Sequence, residues 1–251
     1  MTREQSKAGF DRFIREYPDF SVAVPGNLYG IARRLSLVDW RTYCDTMKVS
    51  GLAVKVVKKA PYPLKEVEGL IEVDERLILT STAARFFSAK LDIRLNQELS
   101  GEFDYTIDCT WGRRGLPARI EFEQTLMLLY ESRDWKGALT LMDGPLASIY
   151  PTEDDNIFTL STVPHTPCHD ITIDVQEKRA KMEKKIRHYL PAFPDLFRYV
   201  GVQSSRKTKL LDLSANRACT VYREKNEFKV MSGKIDAIFV AGDEIKCALG
   251  L

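Results

Sequence analysis

The sequence predicts an α+β fold, a large and mainly antiparallel sheet with flanking helices, over 251 residues. Three observations predict it. From Phe103 onward, short apolar runs follow one another with little more than turn residues between them. The run Arg119 to Tyr130 first alternates polar and apolar residues and then turns apolar at every position, as a strand does when it is wet at its start and covered later. Helical spacing is confined to a few flanking segments, so the pattern is neither a bundle nor a regular βαβ alternation.

Phe10, Phe13, Ile14 and Tyr17 fall at helical spacing, and Pro18 ends that helix. The chain therefore opens inside or just before a helix, a start that looks cut. Leu28 to Ala32 reads as a strand, and Ser36 as the cap of a helix through Val38, Trp40, Tyr43 and Met47. Ala53 to Val57 and Gly69 to Val73 are strands on either side of the turn-rich Ala60-Pro-Tyr-Pro63. Thr80 or Ser81 starts a helix carrying Ala84, Phe87 and Leu91. Strands follow at Tyr105 to Thr110, Ile120 to Tyr130, Ala138 to Met142, Ser148 to Tyr150 and Ile157 to Thr162. A helix spans Val175 to Tyr189, then come strands at Phe197 to Val202, Ala218 to Arg223 and Glu227 to Met231. Asp236 to Leu249 closes the chain as a mainly apolar helix. The strand Tyr105 to Thr110 is expected to keep an uncovered edge or face.

Hydrophobic residues make up 44% of the chain and aromatics 10%, enough to bury a sizeable core, and the net charge is only +2 with basic residues spread throughout. That distribution leaves no nucleic-acid footprint. The cluster Lys178 to Arg187 alternates with Val175, Met182, Ile186 and Tyr189 as a solvated helix face does. Cys44, Cys109, Cys168, Cys219 and Cys247 are odd in number and contain no C-x-x-C pair, against a disulfide framework or zinc ribbon and in keeping with a reducing, cytoplasmic setting. No run is apolar and long enough for a membrane span. His165-Thr-Pro-Cys-His169-Asp170 is the one segment with metal-ligand residue types. It lies between prolines and lacks a fourth nearby group, so no metal is assigned. The hydrolase elbow, zincin and P-loop motifs are absent.

A G-x-G-x-x-G turn is also missing, for no two of the 14 glycines stand two positions apart. Gly112 and Gly115, the closest pair, run into Leu116-Pro117 rather than into a helix.

In order, the segments Phe13-Ile-Arg-Glu-Tyr-Pro18, Tyr29-Gly-Ile-Ala-Arg33, Phe103-Asp-Tyr-Thr-Ile-Asp-Cys-Thr-Trp111, Met142-Asp-Gly-Pro145 with Ser148-Ile-Tyr-Pro151, and Ser232-Gly-Lys-Ile235 resemble the FAD-dependent oxidoreductases of the D-amino-acid oxidase and glycine oxidase type, in a bacterial branch. The resemblance runs from about Ser6 to Leu249. It implies a substrate domain joined to an incomplete α/β flavin-binding domain, with the opening βαβ unit and its ribose-binding acid lacking. Residues 1–25 would belong to the truncated flavin domain, 26–102 and 118–215 to the substrate domain, 103–117 to the strand returning to the flavin domain, and 216–251 to its terminal strand, turn and helix.

The resemblance further implies FAD as cofactor, with Thr110, Trp111 and Gly112 on one turn and Gly233, Lys234 and Ile235 on another beside it. Arg217 resembles the arginine that pairs a substrate carboxylate, with Arg206 as a rival and Tyr150 lining the same cavity. In that chemistry the flavin takes a hydride from the C–H beside an amine, so the substrate would be a small amine or amino acid. Because the glycine cradle is missing, the chain is expected not to bind FAD by itself, as a truncated enzyme or one completed by an upstream chain. A non-catalytic remnant or partner-binding module is the alternative.

Overall fold

The structure is a computed structural model that describes residues 2–52, 54–168, 173–211 and 218–251, with the side chains of residues 2–4 excepted. Helix α1 (Thr2–Glu16) opens it, and Pro18 diverts the chain into a 3-10 turn at Pro18–Phe20. Strands β1 (Ser21–Ala23) and β2 (Asn27–Ala32) precede α2 (Trp40–Val49). The cap of α2 is Asp39, whose carboxylate accepts the Thr42 N–H at 2.8 Å. Ser36, the expected cap, is committed elsewhere, accepting from the Ala32 N–H and donating to the Met142 carbonyl.

Short β3 (Lys55–Val56) lies within the expected strand, of which Ala53 is outside the described residues; β4 (Val67–Glu72), β5 (Arg76–Ile78) and α3 (Thr80–Lys90) follow. Strand β6 covers only Thr106–Asp108, because the Asp108 carboxylate accepts the Thr110 N–H and turns the chain out of the strand. β7 (Ile120–Glu131), β8 (Ala138–Leu141), β9 (Ala147–Pro151) and β10 (Ile157–Thr162) stand where alternation places them. The two-residue β11 (Pro167–Cys168) is additional. Helix α4 (Val175–Tyr189) is capped by Asp174, which accepts the Gln176 and Glu177 N–H groups. After the short α5 (Phe193–Leu196), β12 runs from Arg198 to Leu210, well past Val202. Polar residues mask its second half in the sequence. There Thr125 and Ser205 bond across the strands at 2.8 Å, and Lys209 pairs with the buried Glu123. β13 (Thr220–Glu224), β14 (Glu227–Met231), a 3-10 turn at Ile235–Ala237 and α6 (Ile238–Leu249) complete the fold.

The strands form a nine-stranded sheet in the order β11-β7-β10-β9-β8-β2-β4-β3 with β12 also on β7, a three-stranded sheet β13-β14-β6, and a β1-β5 pair. The large sheet is antiparallel except at β2-β8. The α+β class read from the sequence is the class observed. No helix among the described residues is long and apolar enough to cross a membrane.

The chain divides into two compact units. A terminal unit comprises Met1–Phe20, Thr80–Glu123 and Lys207–Leu251, and a sheet unit comprises Ser21–Leu79 and Gln124–Arg206. Residues 80–102, including α3, thus lie in the terminal unit. In the sheet unit, one face of β7 to β10 packs Leu128, Leu139, Ile149 and Leu160 against Met182 and Ile186 of α4 and Phe193 of α5. In the terminal unit, Phe13, Tyr17, Phe20, Phe86, Phe87 and Phe239 form an aromatic cluster with ring centroids 5.0–6.5 Å apart.

Candidate functional site

In the terminal unit, β14 and β6 pair in parallel, with Glu227 opposite Thr106, Phe228 opposite Ile107 and Lys229 opposite Asp108. Their carboxyl ends therefore lie at the same edge of the sheet. The turns that leave them, Thr110–Gly112 and Ser232–Ile235, start from neighbouring strands, at the position where open α/β sheets bind ligands. The six residues expected at a cofactor thus lie on turns that leave neighbouring strands.

The two turns differ in what they offer. Trp111 holds φ at 58° and Gly112 at 80°, so a bulky residue occupies the left-handed region next to a glycine suited to it. The Thr208 hydroxyl fixes the Trp111 carbonyl at 2.7 Å, while the Trp111 indole N–H and one Asp108 carboxylate oxygen are buried without a partner among the described residues. Buried orphan polar atoms cost free energy and call for a ligand or another segment. In the second turn, Ser232 donates to the Lys234 carbonyl and accepts the Lys234 N–H, and the Lys234 ammonium bonds the Ser6 hydroxyl at 2.6 Å. That turn is largely closed on itself. Ile235, 57% exposed, begins the 3-10 turn that leads into α6.

Beyond the two turns, β6 is the edge strand of its sheet, and Tyr105 and Ile107 are 46% and 49% exposed. Cys109, just after β6, is also exposed, and its thiol is pushed up by burial first and by Asp108 second.

Tyr150 lies in the sheet unit, on the face of β7 to β10 opposite the apolar core. Leu129, Thr140, Ser148, Tyr150, Thr159 and Ser161 share that half-buried face, since pairing sets Tyr150 opposite Thr159 and Thr140 opposite Ser148. The Tyr150 hydroxyl meets the Asn27 amide at 3.4 Å, and its pKa is pushed up to about 12 by burial first and by Glu75 second. Tyr29 is raised far more, by burial first and by the Glu75 charge second. Asn27 and Glu75 were not singled out from the sequence, and Tyr29 was read only as the start of a family motif. The signal was present in Asn27, a polar residue beginning an apolar strand.

Arg217 lies outside the described residues; its rival Arg206 is on β12. His169 and Asp170 lie outside them too. Among the described residues no three His, Cys, Asp or Glu side chains gather as metal ligands.

The chain is 40% identical over 274 aligned positions to the FAD-dependent monooxygenase FPY4 of Fusarium mangiferae, a match covering 97% of this chain and 74% of that protein. It belongs to the same family as that FAD-dependent enzyme. This relative is fungal, whereas the sequence motifs suggested a bacterial branch. No family profile matches the chain. Among solved structures, iminodiacetate oxidase from Chelativorans sp. BNC1 shares the fold with a TM-score of 0.65 at 10% identity, covering 99% of this chain and 79% of that one. Glycine oxidase from Bacillus cereus ATCC 14579 gives 0.64 at 10% identity, covering 95% and 77%. L-proline dehydrogenase from P. horikoshii gives 0.63 at 13%, covering 97% and 76%.

The residues present do not fit the whole cofactor of this family. Gly112 and Gly115 close a loop, with the Gly115 N–H on the Gly112 carbonyl, and a side chain at Gly112 would press on Ile120 and Leu116 at 3.2 Å. No helix follows to lend its amino-terminus to a pyrophosphate. The Trp111 and Ser232 turns offer contact surface, but the phosphate cradle has no counterpart among these residues.

Proposed function

We propose that this chain supplies the substrate side and part of the flavin side of an FAD-dependent oxidoreductase acting on a small amine or amino acid. It does not hold FAD alone, and a second, upstream-encoded chain contributes the glycine-turn unit. The observation that carries this reading is the pair of turns at the shared end of β6 and β14, beside an unpaired strand edge and two buried orphan polar atoms. In this reading the sheet unit is the substrate domain and the terminal unit the incomplete flavin domain. Thr110, Trp111, Gly112, Gly233, Lys234 and Ile235 form the flavin surface, Tyr150 lines the substrate cavity, and Arg217 pairs the substrate carboxylate through its planar fork. The setting is cytoplasmic, in keeping with five free thiols of which two are exposed.

Absorbance of the purified protein at the flavin bands tests the first half. The expected result is a colourless protein that takes up added FAD weakly or not at all, and gains flavin when a chain carrying G-x-G-x-x-G is co-expressed. A yellow protein with stoichiometric FAD overturns it. Failure to acquire flavin even with such a partner favours the non-catalytic module. The name of the 40%-identical relative favours a second reading, monooxygenation. Oxygen-isotope incorporation into product, measured on the flavin-loaded complex, separates it from amine oxidation.

A further inference from the structure

Asn27 begins β2 with no exposed surface at all, an unusual place for a primary amide. Its NH2 group reaches the Tyr150 hydroxyl at 3.4 Å and the Glu75 backbone carbonyl at 3.5 Å, while its Oδ1 is buried with no partner among the described residues. Glu75 lies in the link between β4 and β5, with an exposed side chain whose charge raises the Tyr29 pKa after burial has done so. No basic side chain pairs with it among the described residues. Neighbouring Arg76 is committed instead to the Ser21 hydroxyl at 2.9 Å and the Ser21 carbonyl at 2.8 Å.

Acceptors therefore outnumber donors in this corner of the sheet unit. Asn27 Oδ1 is left over, the Glu75 carbonyl lies at the Asn27 NH2, and the Glu75 charge acts on both phenols. The negative charge is felt locally, since Glu75 raises the pKa of both tyrosines after burial has done so. An ammonium group has three donors, no acceptor and a positive charge, and so matches this surplus. An anion would meet the negative charge of Glu75.

We propose that Glu75, Asn27 Oδ1 and the hydroxyls of Tyr29 and Tyr150 form a recognition site for the ammonium group of a small amine. This deepens the amine reading above and rests on it for the size of the ligand. The ammonium is held through charge-assisted hydrogen bonds beside half-buried phenols, where water competes less than in bulk.

The test is an NMR titration of the full 251-residue chain with ethylammonium chloride, following the Asn27 side-chain amide and the Tyr150 ring. Saturable shifts are expected. Glu75→Gln, a change at an exposed position that leaves packing intact, is expected to weaken binding at least tenfold, and Tyr150→Phe severalfold. Tetramethylammonium, which carries the charge without N–H donors, is expected to bind more weakly than ethylammonium. Absence of saturable shifts, unchanged affinity in Glu75→Gln, or equal shifts with sodium acetate overturns the proposal. The readout needs no flavin, so ammonium binding without flavin chemistry would sink the functional reading alone. Amine oxidation by a flavin-loaded complex without these shifts would sink the site alone.

Discussion

In the sheet unit, Leu128, Leu139, Leu160, Met182, Ile186 and Leu190 have no exposed surface, while in the terminal unit Phe103, Tyr105 and Ile107 stand about half in solvent around an edge strand. The first is a sheet face closed by its own helices. Among the described residues, the second pairs β6 on one side only, through β14, and leaves Asp108 and Trp111 with buried polar atoms unmatched. Burial thus separates a self-sufficient scaffold from a surface whose hydrogen-bonding and apolar groups are arranged for further contacts. The family's phosphate cradle has no counterpart among the described residues of that second unit.

The contrast breaks most directly through core deletions. Phe193 is 2% exposed and packs on Tyr130 and Phe197 at 5.0 and 4.9 Å between ring centroids. Phe193→Ala should cost about 3–5 kcal/mol in urea unfolding. Ile107→Ala on the open strand should cost no more than about 0.5 kcal/mol, the usual range for surface changes. Equal losses would mean that β6 is covered in solution, and light scattering would then report self-association.

Two helical glycines sharpen the comparison within the terminal unit. A methyl group at Gly9 of α1 would run into the Asp236 backbone carbonyl, which cannot rotate away, whereas nothing lies within 4 Å of one at Gly242 of α6. Gly9→Ala should destabilise by about 1–3 kcal/mol through overpacking. Gly242→Ala should stabilise by about 0.5–1 kcal/mol through helix propensity. Opposite signs in thermal melts establish that α1 docks tightly at Gly9 while α6 is open at Gly242.

Legibility in the sequence follows the same physical divide. Helix α4 and strands β7 to β10 were readable because one face is buried by local partners, so periodicity survives in the residues themselves. The second half of β12 was not, since Gln203 to Lys209 are held by cross-strand bonds such as Ser205 to Thr125 and by the Lys209–Glu123 pair. Asp39 displaced Ser36 as a cap because Ser36 bonds Met142, 106 residues away, a contact no local pattern reveals. The two turns that leave β6 and β14 were singled out through family motifs. The Asn27 cluster was missed because two strands distant in sequence and a link bring it together.

A smaller effect probes the electrostatics beside β6. Burial and the neighbouring Asp108 charge both disfavour the Cys109 thiolate. Alkylation by iodoacetamide, followed by mass spectrometry of the Cys109 peptide, should accelerate only above the ordinary thiol range of about 8.5. Asp108→Asn removes a raising charge and should move the reactivity profile to lower pH. An unchanged profile would show that burial acts alone.

The smallest expected effect lies in the closed unit, at His165. Burial depresses its pKa first, followed by Lys181, Lys185 and Lys178 of α4, and the Lys178 ammonium also bonds the His165 carbonyl at 2.9 Å. In the unfolded chain the imidazole takes up a proton near pH 6.5, a proton the folded state accepts only at lower pH. The unfolded state therefore binds more protons in that window, and stability is lost as pH falls through it. Urea midpoints should be lower at pH 5.5 than at pH 7.5, and the difference should shrink in His165→Gln. If the variant keeps the full wild-type difference, carboxylates elsewhere carry the acid sensitivity, and the lysine face of α4 bears only on solubility.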